Sequence, residues 1–483
     1  MRTLRVAVVG SGPAGLYTAE ALIKQAAALD PPHQVKVDVL DRLPTPYGLV
    51  RYGVAPDHKS IKSIAEVLRR VLEHDNVNFV GGVHLGDDIT RDELLASYDA
   101  VVYATGAMRD RRMGIPGEDL PGSVAATDFV NWYSGHPDID PGKYTLDAES
   151  VAVIGVGNVA VDVARILIRD PDDLRETDIS QPVLETLMSS KVREVHMIGR
   201  RGPAQAKFTT KELRELGELN GVDVVVYGGE TDLEAFDPTG ESARLAAEDR
   251  HVRGNYTVIK DFADRRPTGN RRRLFIRFWL RPTELHGPSQ VSGLTVERTR
   301  LDENGKFVGT GSYETLDAQL VLRSVGYQSV PLLGVPFDDR SSTVPNTGGR
   351  ITGPDGAALP GEYVAGWLKR GPSGVIGTNK SDAAETVRAL LADLAGGPGP
   401  DDVELPRAGM LRYPEAVPEA AADAASRFDE LLAARGIRPV SYADWLQIES
   451  AERELASSLG RGARVKLPSR ADLHKACGFT ARS

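Results

Sequence analysis

The chain is 483 residues long, enough for two large folding units or three ordinary ones at about 150 residues each. Its 58 Lys and Arg against 68 Asp and Glu leave a net charge of −10, which excludes a broadly basic nucleic-acid binder, because neutralising phosphates takes a basic surface. The single cysteine, Cys477, excludes an intrachain disulfide, a Cys-x-x-Cys redox dithiol and a cysteine-ligated zinc or iron–sulfur centre within this chain. If the chain handles electrons, an organic cofactor must carry them, and no metal site is expected. No apolar run reaches the roughly 20 residues of a membrane helix. The opening MRTLRVAVVG runs straight into a glycine loop without the apolar core of a secretory signal, so a cytoplasmic location is expected.

In chain order, the apolar run 6–9 predicts a strand and Gly10-Ser11-Gly12-Pro13-Ala14-Gly15 a turn. Leu16, Ala19, Leu22 and Ile23 then repeat at helical spacing. Residues 35–40 predict a second strand that closes on Asp41, completing a βαβ unit. The turn-rich LPTPYGLVRYGVAPDHKS leads into a helix with Ile61, Ile64, Leu68, Val71 and Leu72 on one face and Asp57 placed to cap it. A strand at 100–103 ends in Ala104-Thr105-Gly106, where the chain is expected to leave its first domain.

A second βαβ unit begins with a strand at 151–154 and turns through Gly155-Val156-Gly157-Asn158-Val159-Ala160. It continues as a helix carrying Val161, Ala164, Leu167 and Ile168, and its next strand, 195–198, leads to Arg200-Arg201. Beyond about residue 220 the pattern turns β-like, in VDVVVY, RRLFIRFWL and AQLVLRSVGY. Val364 to Trp367 reads as a further strand, and Gly371-Pro372-Ser373-Gly374 opens a helix through Ala383 to Leu394. Residues 395–418 read as a linker, and the remainder as a helical appendage.

A strand, then G-x-G-x-x-G, then a helix is a phosphate-binding arrangement with a mechanical reason for each glycine. The first permits the tight turn, the second lets the backbone reach a pyrophosphate, and the third lets helix and strand pack closely. Gly10, Gly12 and Gly15 satisfy it, and the helix N-terminus adds unpaired N–H donors. Asp41 can accept hydrogen bonds from ribose hydroxyls, so the first site suits FAD or an unphosphorylated nicotinamide dinucleotide; the plainer reading is a glycine turn with an exposed acid. The second site keeps Gly155 and Gly157, has Ala160 in the third place, and ends on Arg200 and Arg201. Paired guanidiniums suit the 2′-phosphate of NADP(H); the plainer reading is a solvated basic turn. Opposite charges at the two sites point to FAD in the first and NADP(H) in the second, with hydride passing from NADPH onto the flavin.

The strings GSGPAG, LPTPYGLVRYGVAPDH, IGVGNVAVDVAR, GRRGPAQAKFTTKELREL, LRSVGY and GWLKRGPSGVIGTNK occur in that order. Through them the chain, from residue 1 to about 475, resembles the adrenodoxin reductase family, in particular its bacterial, mycobacterial-type NADPH–ferredoxin reductases. The resemblance implies an α/β fold of two Rossmann-like domains, an FAD domain (1–107 and 330–483, the latter with the appendage) split by an inserted NADP domain (108–329). It also implies electron transfer from NADPH through FAD to an acidic, transiently bound iron–sulfur ferredoxin, with no nucleic acid and no membrane span. By the same resemblance, Ala14, Asp41, Leu49 and Leu85 line the adenine and ribityl side of FAD, and Trp367 with Gly374, Val375 and Ile376 meets the flavin ring. Backbone N–H groups of that turn then face negative charge on the reduced flavin. Arg111, Gly155, Gly157, Asn158, Val159, Arg200, Arg201 and Glu212 hold NADP.

Thr209-x-x-Glu212 is also a helix capping box, which is compatible with a ribose contact. His58 and Glu215 match a His and an acid that the family places near the flavin, with proton handling as their role. Their plainer readings are a first-turn histidine and a surface partner of Lys211. A ferredoxin would need a basic patch, for which Lys207, Lys211, Arg214 and the run Arg271-Arg272-Arg273 are candidates. Tyr47 stands where relatives often have Trp. The alternative activity is an NADPH diaphorase or an electron-input flavoprotein for another acceptor, such as a monooxygenase system; a non-catalytic dinucleotide-binding scaffold is the alternative outside enzymes. A flavin disulfide reductase or a glutamate-synthase-type input subunit is disfavoured by the lone cysteine.

Overall fold

Two sheets, one mostly and one wholly parallel, each built on one of the glycine turns, organise the chain in this computed structural model, which describes residues 3–227, 240–395, 420–462 and 464–479. In the first, Leu4–Val9 lies between Val35–Asp41 and Ala100–Tyr103, with Val6 opposite Val37 on one side and Ala100 on the other. Val77–Gly81 extends the sheet beyond Val35–Asp41. On the other edge Ala358–Val364 pairs in parallel with Ala100–Tyr103 and is followed by the antiparallel Arg350–Thr352 and Asn346–Thr347. The central strands Leu4–Val9 and Ala100–Tyr103 are nearly continuous apolar runs because both their faces are covered. Helices Pro13–Ala27 and Thr378–Ala395 pack on one face, through Leu16, Leu22, Val387 and Leu390. On the other, Arg91–Ser97 and Ala420–Ala434 contribute Leu94, Phe428 and Leu432.

The second sheet is parallel throughout, in the order Ser123–Ala125, Leu320–Arg323, Ser150–Ile154, Glu194–Ile198, Arg272–Arg277, Val222–Tyr227. A three-stranded antiparallel sheet, Leu280–His286, Gly293–Leu301 and Phe307–Asp317, adjoins it. The first sheet thus draws its strands from both ends of the described chain, and the second is inserted between them. Where the chain passes between the two, Arg109–Asp110 pairs antiparallel with Tyr327–Gln328.

Several expectations need correction. The helix expected to run through Ile61 to Leu72 is two, Lys59–Lys62 and Ile64–Leu72, and Asp57 caps neither; its carboxylate is taken by Arg165 and Arg169. The region after 220 also holds helices Glu241–Glu248 and Arg250–Ala263, the latter capped by Asp249, which accepts from the N–H groups of His251 and Val252. The strand Ala358–Val364 stops before Gly366, and Trp367–Arg370 is a helical turn. The final helices Tyr442–Ser458 and Arg470–Ala476 are less an appendage than part of the first core, through Trp445, Ile448, Leu473 and Cys477. Tyr47 meets the edge of Trp445, with ring centroids 6.0 Å apart. The linker expected at 395–418 falls, beyond Ala395, outside the described residues.

Candidate active site

The two glycine turns are built alike. Gly10 (φ +115°) and Gly155 (φ +141°) adopt a backbone that side chains rarely take. Each donates its N–H to the strand that follows its helix: Gly10 to Leu40 O at 2.7 Å, Gly155 to Ile198 O at 2.9 Å. A Cβ on Gly10 would lie 2.5 Å from Ala104 O, and one on Gly155 2.2 Å from Ser324 O. Gly12 and Gly157 then cap the helices Pro13–Ala27 and Asn158–Ile168 with no side-chain cap, so nothing from a capping side chain competes for the helix's first N–H groups. A Cβ on Gly157 would meet nothing within 4 Å; it would occupy the open cradle itself. Gly15 serves packing instead, since its Cβ would fall 1.8 Å from Gly10 O.

Both turns open onto one cleft of about 2050 Å³. On the first side it is lined by Gly10, Gly12, Ala14, Asp41, Leu49 and Leu85, with Trp367, Gly374, Val375 and Ile376 from the later part of the chain. On the second it is lined by Gly155, Gly157, Asn158, Val159, Arg200, Arg201 and Glu212, with Arg111. Of the residues expected at a cofactor, only Gly15 is not in the lining. Asp41 already has protein partners: its Oδ2 accepts from Ser11 N at 2.9 Å and Ser11 Oγ at 2.5 Å, and Oδ1 from Leu43 N at 2.9 Å. A carboxylate has about four acceptor positions, so one remains beyond these three. The turn at Gly374 departs from expectation. The helix begins at Thr378, whose Oγ1 takes the Val375 N–H at 3.1 Å, so that N–H is not free for a ligand.

The second cradle is less satisfied. Arg201 Nε, Glu212 Oε2 and Gln205 Oε1 are buried and have no hydrogen-bond partner among the described residues, and all three side chains line the cleft. Buried polar atoms left so are costly, and a ribose phosphate rich in oxygens and hydroxyls fits these donors and acceptors. Burial raises the Glu212 carboxyl. Burial and then the Arg201 charge lower Arg200. The Phe307 ring lies under both guanidiniums, 4.5 Å from Arg200 and 5.6 Å from Arg201. The expected capping box does not form: Thr209 precedes the helix Thr210–Leu216 without a side-chain cap bond, and its N–H donates to Asn158 Oδ1 at 2.8 Å.

His58 and Glu215 are brought together, Nδ1 to Oε2 at 3.7 Å, yet neither lines the cleft. They belong to a buried seam between the two sheets. His58 Nε2 lies 2.8 Å from Asp162 Oδ1 and 2.7 Å from Arg165 Nη2, and Arg165 Nε donates to Asp57 Oδ2 at 2.6 Å. Burial pulls the imidazole down, but the Asp162 hydrogen bond and charge outweigh it and hold His58 above its ordinary range. Asp162 and Arg165 were legible as two charges three apart in an otherwise apolar helix; Gln205 and Phe307 had no signal. Of the basic candidates, Lys207 lines the cleft and Lys211 and Arg214 are exposed on the helix beside it. The Arg271–Arg273 run is not with them. It opens a strand at the end of the sheet opposite Arg200; Arg273 pairs with Glu194, and Arg272 donates to Arg169 O at 2.9 Å.

Fold and cleft together define an oxidoreductase with two dinucleotide sites, and a family model described as pyridine nucleotide-disulphide oxidoreductase matches residues 4–229. Cys477 is the single cysteine, so this chain offers no dithiol of its own. It is 46% identical over 477 residues to NADPH-ferredoxin reductase FprA of Mycobacterium tuberculosis, covering 98% of this chain and 99% of that one. It is 37% identical over 471 residues to the mitochondrial NADPH:adrenodoxin oxidoreductase of Arabidopsis thaliana, covering 94% and 91%. The solved structure of Mycobacterium tuberculosis FprA in complex with NADPH superposes with a TM-score of 0.87 at 43% identity, covering 99% of this chain and 100% of that one. The chain belongs to the adrenodoxin reductase family of NADPH–ferredoxin reductases. Among the described residues no helix is long and apolar enough to cross a membrane.

Proposed function

We propose that this chain takes hydride from NADPH onto FAD and passes the electrons singly to an iron–sulfur ferredoxin in the cytoplasm. Residues 1–107 and 330–483 form its FAD domain and 108–329 its NADP domain. The observation that carries this reading is the single cleft into which both glycine turns open, one ending on an acid and the other on an arginine pair. FAD, when bound, supplies the conversion of a two-electron hydride into one-electron steps.

The chain's own residues bind and orient. Gly10, Gly12 and the start of Pro13–Ala27 receive the FAD pyrophosphate, and Asp41 offers its remaining acceptor position to a ribose hydroxyl. Ala14, Leu49 and Leu85 wall that side, and Trp367 with Gly374–Ile376 bounds the ring. Arg200 and Arg201, steadied by Phe307, hold the 2′-phosphate of NADPH. Gly155, Gly157, Asn158 and Val159 receive its pyrophosphate, with Glu212 and Arg111 at its flanks. His58 and Glu215 act in proton handling through the seam rather than from the cleft wall. An acidic ferredoxin docks transiently on Lys207, Lys211 and Arg214 at the rim.

Anaerobic NADPH should bleach the flavin band near about 450 nm, where oxidised flavins absorb, and an added ferredoxin should restore it. A yellow protein that NADPH leaves unbleached refutes the reading. Bleaching reversed by dyes or quinones, but by no ferredoxin, replaces it with a diaphorase.

A further inference from the structure

The stretch around Lys466, after the helix Tyr442–Ser458, has no part in either dinucleotide site. Lys466 is 1% exposed, and its ammonium faces both domains. Nζ donates to Arg51 O at 2.6 Å and to Ser134 O at 2.8 Å, and lies 3.4 Å from Asp178 Oδ2. Arg51 lies on the helix Leu49–Tyr52, between strands of the first sheet; Ser134 and Asp178 belong to the inserted part. The amine thus donates to one backbone carbonyl on each side of the seam, with the Asp178 carboxylate beside it. Asp178 is gripped from the other side by Lys62, at 2.9 and 2.6 Å.

The same pattern holds to either side of Lys466. Arg461 donates to Ile179 O at 2.9 Å and to Gln181 Oε1 at 3.0 Å, both in the inserted part. Arg470 donates to Arg42 O at 3.1 Å and pairs with Asp138 at 2.6 Å, while Arg42 itself pairs with Asp138. Arg42 and Asp138 line the cleft. The fully buried Glu452 pairs with Arg51 and accepts the Leu467 N–H at 3.1 Å, which fastens the stretch to the first domain. Burying an ammonium is expensive, and apolar side chains would glue two surfaces as well. Two directed hydrogen bonds and an ion pair add what apolar contact does not, a fixed angle.

We infer that Lys466 is a positioning residue: by joining Arg51 to Ser134 and Asp178 it sets the angle between the two domains. With that angle it sets the gap that hydride crosses as NADPH is oxidised to NADP+ and FAD is reduced. The inference rests on the proposed NADPH-to-FAD transfer.

Lys466→Met keeps the length of the stem and removes the donors. At saturating NADPH, its stopped-flow bleaching rate should fall about ten- to a hundredfold, the cost of a misplacement on the order of 1 Å. The long-wavelength absorbance of a nicotinamide stacked on flavin should weaken with it. Binding of 2′,5′-ADP, which needs only the second site, should stay within about twofold, because the cradle itself is untouched. A wild-type rate and absorbance band overturn the inference, as does an equal loss of rate and 2′,5′-ADP affinity, which marks general unfolding. If the unaltered protein does not bleach at all, the proposed function fails instead. Should Lys466→Met not fold, Arg461→Gln at the partly exposed end of the clamp carries the same test, and an unchanged bleaching rate there overturns the inference.

Discussion

The two dinucleotide cradles share a backbone and differ in what they leave unpaired. In both, the first glycine donates to the strand beyond the helix and abuts a carbonyl that follows a third strand, Ala104 O in one and Ser324 O in the other. At the first cradle the acid that ends the second strand is absorbed into the turn, with Ser11 and Leu43 holding Asp41. At the second, Arg201, Glu212 and Gln205 each keep a buried atom with no partner among the described residues. One frame is thus used twice, and the two copies differ in a few side chains at and beyond the end of the second strand. The first cradle is largely complete by itself, while the second is completed by what binds.

The largest effects should come from the second cradle's glycines, which separate frame from binding surface. Gly155→Ala forces a Cβ against Ser324 O at a strained φ. Thermal denaturation should show a loss of about 1–3 kcal/mol. Gly157→Ala has ordinary extended backbone and open space around the new methyl, so it should melt like the wild type yet bind 2′,5′-ADP at least about tenfold more weakly, because the methyl fills the pyrophosphate's place. If both variants melt alike and bind alike, the division between frame and cradle is wrong.

Next in size is the arginine pair. Hydrogen bonds to a charged group contribute about 1.5–3 kcal/mol, so Arg200→Ala should raise the KM for NADPH roughly ten- to a hundredfold and leave NADH nearly unchanged. Phe307→Ala should produce a weaker version of the same loss, since the ring orders both guanidiniums without touching the phosphate. An equal loss for NADPH and NADH would remove the 2′-phosphate from the account.

Much of this was legible before any coordinates. The βαβ units were readable because parallel strands buried on both faces are short apolar runs, and because the glycine positions answer to one geometric need each. The helices at Glu241–Glu248 and Arg250–Ala263 were missed because their apolar residues are sparse and lie amid charge, and only the Asp249 cap marks the start of the second. Asp57 was misread for the reverse reason. A local cap is the default for an Asp before a helix, but Arg165 and Arg169, over a hundred positions away, offer charge-assisted bonds that a cap does not match. The seam as a whole was illegible, since nothing local ties Lys466 to Arg51 or Ser134. The orphaned atoms of Arg201 and Glu212 were not readable either, because lacking a partner is a property of the packed chain.

The smallest expected effect concerns the seam beneath both cradles. His58 is held above its ordinary range, so protonation stabilises the folded chain. That contribution is complete below about pH 6.5, the unfolded value, and is lost as pH rises through the folded one. The groups facing it are Asp57, Asp162, Arg165, Glu212 and Glu215. Deprotonation does not leave Nε2 bare, because the neutral ring exchanges a bond donated to Asp162 for one accepted from Arg165 Nη2, already 2.7 Å away. The loss should therefore be partial. The Tm gap between wild type and His58→Asn should be widest near pH 6 and narrow by only about 2–4 °C toward pH 9, the shift that about 1 kcal/mol gives in a domain of 150–250 residues. A gap that stays constant across this range would mean the ring is neutral throughout and paired with Arg165 alone. In that case the proton-handling role of His58 and Glu215 would fall, and the histidine would be a fixed strut between the two domains.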